Sequence, residues 1–457
     1  MHRLRFASRA AVLSAIIGLA VVAIAPVSSS AAGTSASQLL GPDWVTYHAS
    51  NSRTGVGQRV PSVRRISKAW TRHLDGAVYG QPLVIGQLVI AATEADSVYA
   101  LSRSTGAVVW QRSLGTPAVR AELPCGNIFP LGITGTPAYN PSTKSLFAVA
   151  ETTGGVHTLF SLALATGAVV WQRNLDTATG RDRIAQQQRG ALTVANGRVY
   201  VPFGGLAGDC GNYVGYLTAT PISGVGPIAT YMVPTSRMGG IWAASGISVA
   251  GDGTVYAAVG NGASTGAPFD GSDSVLRLSA DLSRRIDYFA PATWGAQNAA
   301  DQDLGSTGPV LIPGSRALVS GKDGRVYLLN AGNLGQIGHP VASLQGCAGF
   351  GGLAYDQARH LAFVPCDNGL LAVAVGTTTL RAAWQATTTV QGSPVVGGGA
   401  VWTLDRAKKL LFALAESSGH ELAHIAVGPV SKFATPVVTG SAVFVGTMSG
   451  VSAERIN

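Results

Sequence analysis

Thr105-Gly106-Ala107-Val108-Val109-Trp110-Gln111-Arg112 recurs residue for residue from Thr166 to Arg173. A weaker copy ends at Trp384, after Arg381, and Trp70-Thr71-Arg72 carries a similar ending. A Thr-Gly turn feeding an alternating run reads as the last strand of a small sheet. Its Trp offers a large ring to dock on a neighbouring sheet. Upstream of the first copy lie two more alternating runs, Leu88-Val89-Ile90 and Ser97-Val98-Tyr99-Ala100-Leu101. Before them stands a small-residue strand start, Gly80-Gln81-Pro82. Comparable starts follow at Gly135, Gly190, Ser245, Gly308, Gly351, Gly392 and Ala434. They are spaced by roughly 40–60 residues, the period of propeller blades. Eight starts predict an all-β, eight-bladed propeller. The last unit, Ala434 to Asn457, has room for three strands only. Its outer strand is expected from Ile66 to Leu74, so that both termini share one blade and no sheet edge is left open.

Composition agrees with short strands and many turns. Of 457 residues, 46% are hydrophobic and 12% charged, with 59 glycines and 22 prolines. This is ample for a large core, and the glycines and prolines follow no collagen-like period. Three regions are expected: a leader over residues 1–32, an extended segment over 33–62, and the propeller over 63–457. Trp44 and Tyr47 of the extended segment are expected to pack on the outside.

Arg3, Arg5 and Arg9 precede an apolar run from Ala10 to Ala25, and Ser30-Ala31-Ala32 follow. A basic head, an apolar middle and a small-residue exit make a secretory leader. The rival reading is a membrane anchor, but the run falls short of the ~20 residues a span needs. With no Cys at the exit, a lipid anchor is not expected. The mature chain is therefore expected outside the cytoplasm, secreted or periplasmic, and monomeric. Removing three arginines takes the formal charge from +9 to +6. No Lys/Arg run interleaves with aromatics, which leaves nucleic-acid binding without a footing. A small-molecule ligand or a component of the cell envelope are the partners this surface allows.

The four cysteines, Cys125, Cys210, Cys347 and Cys366, suit an oxidising compartment. Pairing Cys347 with Cys366 across one strand pair leaves Cys125 for Cys210, one of three connectivities. His420-Glu421-Leu422-Ala423-His424 has the form of a zinc-protease motif. That chemistry needs a helix to put both imidazoles on one face. Here the segment aligns with an outer strand, where four residues span about 13 Å. The metal reading is rejected.

The Gly-turn and docking Trp resemble the pyrroloquinoline quinone (PQQ) propeller repeat, and several segments resemble the sites of PQQ-dependent alcohol dehydrogenases. That resemblance implies a quinone in the central funnel over a Trp floor, with calcium or a lanthanide ion. It also implies a carboxylate that takes the alcohol proton. Gly239-Gly240-Ile241-Trp242, followed by Gly260-Asn261-Gly262, matches the order of floor Trp and metal-binding Asn. Glu151 matches a metal carboxylate. Asp301-Gln302-Asp303 matches an Asp-x-Asp pair, Asp301 as base and Asp303 as metal ligand. Lys322 matches a cation set against the quinone oxygens.

The residue chemistry is compatible with these roles. Glu151, Asn261 and Asp303 are hard oxygen donors, Trp242 offers a stacking face, and Asp301 is a candidate proton acceptor. Each also has an ordinary reading: Asn261 as a turn residue, Trp242 as a core aromatic, Asp301, Asp303 and Lys322 as solvated loop charges. The chain lacks the family's adjacent Cys-Cys pair, its long substrate-shaping insertions and any CxxCH haem motif. Gln187 and Arg189, at the start of one repeat, are expected to line the funnel. Three functions follow: a binding propeller without chemistry, a metal- and PQQ-dependent alcohol or sugar dehydrogenase, and a structural envelope protein.

Overall fold

The computed structural model describes residues 42–386 and 392–457, so the expected leader lies outside the described residues. The chain forms eight β-sheets arranged as the blades of a propeller. Blade 1 runs Leu83–Ile85, Leu88–Ala92, Ser97–Ser102 and Val108–Ser113, from the innermost strand outward. Blades 2, 5, 6 and 7 repeat this antiparallel four-strand order. In blade 3 the innermost position is split between Gln186–Gln187 and Thr193–Ala195, both paired with Arg198–Gly205. Blade 4 gains a short parallel strand, Gln336–Ile337, on its outer edge. Blade 8 is built as expected from both termini. Ile66–His73 pairs with Gly450–Ile456, in register from Ile66↔Ile456 to His73↔Gly450.

The Thr-Gly and Trp of the repeat form one joint between adjacent blades. The indole Nε1 of Trp70, Trp110, Trp171 and Trp384 donates to the backbone carbonyls of Arg103, Leu164, Ile222 and Glu416 in turn. Each ring lies against a turn glycine of the following blade: Gly106, Gly167, Gly224 or Gly419. Between blades 1 and 2 the buried core includes Leu83, Ile90, Val98, Leu146 and Phe160. Full burial of such side chains is worth about 1.5–3 kcal/mol each.

Trp44 and Tyr47 do not pack outside; they are 2% and 1% exposed. Residues 44–58 form a strap that visits all eight blades in order. Trp44 exchanges backbone hydrogen bonds with Val84 of blade 1, and Val45 accepts from Tyr139 of blade 2. Asn51 Nδ2 donates to Val194 of blade 3, and its carbonyl accepts from Val249 of blade 4. Ser52, Thr54, Gly55 and Gln58 accept from Leu311, Tyr355, Val396 and Gly440 of blades 5 to 8. In seven blades a backbone N–H of the inner strand or its end donates to a strap carbonyl, and in blade 3 the strap donates to the Val194 carbonyl, so one segment satisfies free backbone groups of every blade. That demand draws the strap inward.

Arg53 folds into this ring and is completely buried. Its guanidinium donates to the carbonyls of Ile247, Tyr47 and Leu192 and to the hydroxyls of Thr46 and Thr193. Tyr47 stacks on His48 at 4.2 Å and its hydroxyl meets Thr435 at 3.1 Å. Both disulfides form as expected, Cys125–Cys210 and Cys347–Cys366. Glu421–Ala426 is a strand, and His424 Nδ1 rests on Glu421 at 2.6 Å.

Candidate functional site: the central funnel

A cavity of about 530 Å³ is lined by the connections that enter the blades from the side away from the strap. Arg189, Trp242, Asn261, Asp301, Asp303 and Lys322 all line it. A small cavity of about 10 Å³, bordered by Arg189 and Phe433, continues to Tyr47 of the strap. Tyr47 lies at the narrow end of the funnel.

Its acidic wall comes from blades 4 and 5. Asn261 follows the strand Val255–Val259, and Asp301 caps the helix Trp294–Ala300 with φ 53°. Lys322 sits in the hairpin turn between Arg316–Ser320 and Arg325–Asn330, its backbone N–H on the Asp303 carbonyl at 2.9 Å. Asp303 Oδ1 accepts from the Asn261 backbone N–H at 2.7 Å and the Trp242 indole at 3.3 Å. Its Oδ2 lies 2.5 Å from Lys322 Nζ. Asp301 Oδ1 accepts from Lys322 Nζ at 2.8 Å and Asn261 Nδ2 at 2.6 Å. Gly260 permits this closeness: a methyl there would fall 2.2 Å from Asp303 Oδ1.

These contacts set the protonation states. Burial pushes Asp303 up, against the pull of Lys322. Burial also acts upward on the more exposed Asp301, but the Lys322 bond and charge outweigh it and hold the carboxyl below its ordinary range. Lys322 is pushed down by burial and, more strongly in sum, up by the two carboxylates. The wall is an ammonium clamped between two carboxylates. Asp301, so paired, is a weak proton acceptor.

The opposite wall is cationic and aromatic. The Arg189 guanidinium lies 5.6 Å from the centroids of both Trp242 and Phe433, and Lys432 Nζ lies 3.7 Å from that of Phe350. Burial, followed by the charges of Lys322, Arg406 and Arg189, pushes the Lys432 ammonium below its ordinary value. Among the described residues no carboxylate lies within ion-pair distance of Arg189, Arg406 or Lys432.

Two expected site residues stand apart from the lining. Gln187 is buried and accepts a hydrogen bond from Arg189, so it positions that side chain. Glu151 is fully buried and faces His157 across a hairpin, its carboxylate 3.3 Å from His157 Nε2. His157 Nδ1 in turn meets Asp176 at 2.8 Å. Phe350, Arg406, Lys432 and Phe433 were missed. A repeat signal could have found two of them: Tyr79, Arg189, Phe350 and Phe433 each immediately precede a blade start and line the funnel.

The blades, their Thr-Gly and Trp joints and this central funnel define an eight-bladed propeller whose fold is like that of quinoprotein alcohol dehydrogenases. The family model described as outer membrane protein assembly factor BamB matches residues 49–206. No curated protein matches the chain. Among solved structures, the quinohemoprotein alcohol dehydrogenase ADHIIG from Pseudomonas putida HK5 is similar at 14% identity and TM-score 0.72, covering 91% of this chain and 80% of that one. A europium-containing methanol dehydrogenase gives 14% identity and TM-score 0.71, covering 91% and 98%. BamB from Moraxella catarrhalis gives 13% identity and TM-score 0.59, covering 85% and 99%. At these identities the likeness is one of fold.

The residues present suit half of what the dehydrogenases hold. An indole floor ringed by cations suits a flat, anionic quinone. The donor set does not suit the ion. A calcium-like ion takes six to eight oxygens, whereas Asp301 and Asp303 share an ammonium and Glu151 is engaged with His157. Among the described residues no three His, Cys, Asp or Glu side chains gather as a metal site.

Proposed function

We propose that the funnel binds a flat, anionic small molecule and holds it without catalysing its reaction. The observation that carries this reading is the crowding of Arg189, Arg406 and Lys432 around one cavity with, among the described residues, no carboxylate in ion-pair reach. Like charges held this close raise each other's energy, and an anion relieves it. Trp242, Phe350 and Phe433 supply faces for a ring. The chain would do this as an exported monomer; its two disulfides suit an oxidising compartment.

The test is a titration of the purified chain with PQQ and other aromatic carboxylates in chelating buffer, followed by tryptophan fluorescence. Saturable quenching that Trp242→Ala reduces supports the reading. No binding by any member of the series overturns it.

The dehydrogenase reading has one observation in its favour: Trp242, Asn261, Asp301, Asp303 and Lys322 converge on one cavity. It requires Asp301 to accept a proton while bonded to Lys322 and Asn261. A dye-linked alcohol assay with PQQ and calcium or a lanthanide decides between the two. The scaffold reading, a partner in the cell envelope, is supported by the BamB likeness of the fold alone.

A further inference from the structure

We infer that the ammonium of Lys322 is a built-in substitute for a divalent or trivalent cation, making the acidic wall of this funnel independent of metal. The wall keeps this property whatever anion fills the cavity.

Asp303 is 5% exposed, and a buried carboxylate needs both a counter-charge and hydrogen bonds. It has both. Two N–H groups hold Oδ1, and Lys322 holds Oδ2 at 2.5 Å. The same ammonium reaches Asp301 at 2.8 Å. An ammonium has three protons and no further valence to fill, so two carboxylate oxygens nearly satisfy it. The backbone bond from Lys322 to the Asp303 carbonyl ties the hairpin to this place. Trp242, with its centroid 5.6 Å from Nζ, favours a cation there as well.

A third side chain of the group carries an unused oxygen. Asn261 Oδ1 is buried and has no hydrogen-bond partner within the protein. The amide turns its Nδ2 to Asp301, so once the ammonium is gone a flip of the amide brings this oxygen to the two carboxylates, a hard donor set for calcium or a lanthanide. Lys322 neutralises the two acids but leaves that amide oxygen unused. Removing the ammonium while keeping the side chain's bulk therefore unmasks a cation site.

The experiment compares wild type with Lys322→Gln and Lys322→Met in metal-stripped buffer. Terbium(III) luminescence excited through tryptophan and calorimetric titration with calcium are the readouts, and circular dichroism reports folding. Wild type is expected to show no saturable site that depends on Asp303. Each Lys322 variant is expected to gain one site at least about tenfold tighter than any wild-type binding. Adding Asp303→Asn to either variant abolishes the gain. A variant that folds only when calcium is added supports the inference equally. A wild-type site lost in Asp303→Asn overturns it, as do folded Lys322 variants that gain no site. Neither result depends on the anion titration, so the two readings fail separately.

Discussion

The ring of Trp110 in blade 1 lies against Gly167 in blade 2, so closely that a methyl on Gly167 would sit 2.5 Å from it. Trp110 Nε1 donates to the Leu164 carbonyl at 2.9 Å, and Arg112 Nε donates to the Gly167 carbonyl at 2.9 Å. The verbatim repeat is thus a joint, with Trp and Arg on one blade and Thr-Gly on the next. Gly167 also has φ +66°, a conformation that suits glycine. Gly167→Ala is expected to cost about 1–3 kcal/mol by overpacking, with added backbone strain. Trp110→Ala is expected to cost about 3–5 kcal/mol. Gly251→Ala, which meets open space, should stay within about 0.5 kcal/mol of wild type. Denaturant unfolding of the three variants checks the order.

Arg53 holds the strap across the channel. Burial pushes its guanidinium down to about 9, yet it remains charged at neutral pH and its bonds are made inside the fold. Arg53→Met removes donors from the Ile247, Tyr47 and Leu192 carbonyls and the Thr46 and Thr193 hydroxyls. A loss of about 2–4 kcal/mol is expected, because buried acceptors are left unpaired. The variant should also be cut faster by protease within residues 44–58, as the strap opens before the blades. Cleavage kinetics at low protease check this. Equal rates in wild type and variant would remove Arg53 as the fastener.

The blades were legible because their signal is repeated. Eight small-residue starts and the recurring Trp are independent readings of one unit, so chance matches cancel. The strap has no period, and nothing local tells a segment on the outside from one ringed against the inner strands. Only the free backbone groups of the inner strands decide it. The funnel was partly legible. Trp242, Asn261, Asp301, Asp303 and Lys322 lie near one another in sequence order and meet in space. Glu151 matches a metal carboxylate by resemblance alone, and its partner, His157, is visible only once the hairpin register Glu151↔His157 is known. Phe433 and Lys432 lie in a loop whose residues look ordinary until the position before each blade start is compared around the ring.

Stability is expected to fall as pH rises from about 5 to 9. Burial pushes Glu94 and Asp96 up to about 8 each, from ordinary values of 4.5 and 3.8. Over that range the unfolded chain has released protons that the folded chain keeps, so raising the pH favours unfolding. His157 acts in the same sense. Burial pushes it down, but Glu151 and Asp176 outweigh this and hold it at about 9. Its contribution is complete below 6.5 and is lost as pH rises through 9. The neighbouring charges are Glu151, Asp176 and Arg189, with the Gly132 N–H on Glu94 at 2.8 Å. Calorimetry from pH 5 to 9 should give a steadily falling Tm, and Glu94→Gln should flatten the profile. A Tm that climbs with pH would mean these carboxyls are ionised in the folded chain.

The cationic wall predicts how the funnel responds to salt. If Arg189, Arg406 and Lys432 attract an anion by charge, binding should weaken as ionic strength rises, because screening shortens the Debye length from about 30 Å at 0.01 M to about 10 Å at 0.1 M. Lys432→Met keeps the stem over Phe350 and removes one charge, and Arg189→Met does the same beside Trp242. Each is expected to weaken binding of an aromatic carboxylate by about tenfold, the scale of one charge-assisted hydrogen bond. The slope of affinity against salt should also become shallower. Lys322→Met should have a smaller effect on the salt slope, since its charge is already spent on Asp301 and Asp303. Fluorescence titrations at several salt concentrations separate these cases. Equal losses at all three positions would mean that net charge alone governs entry. A loss confined to Arg189 and Lys432 locates the anion on the wall whose cations have no carboxylate in direct contact.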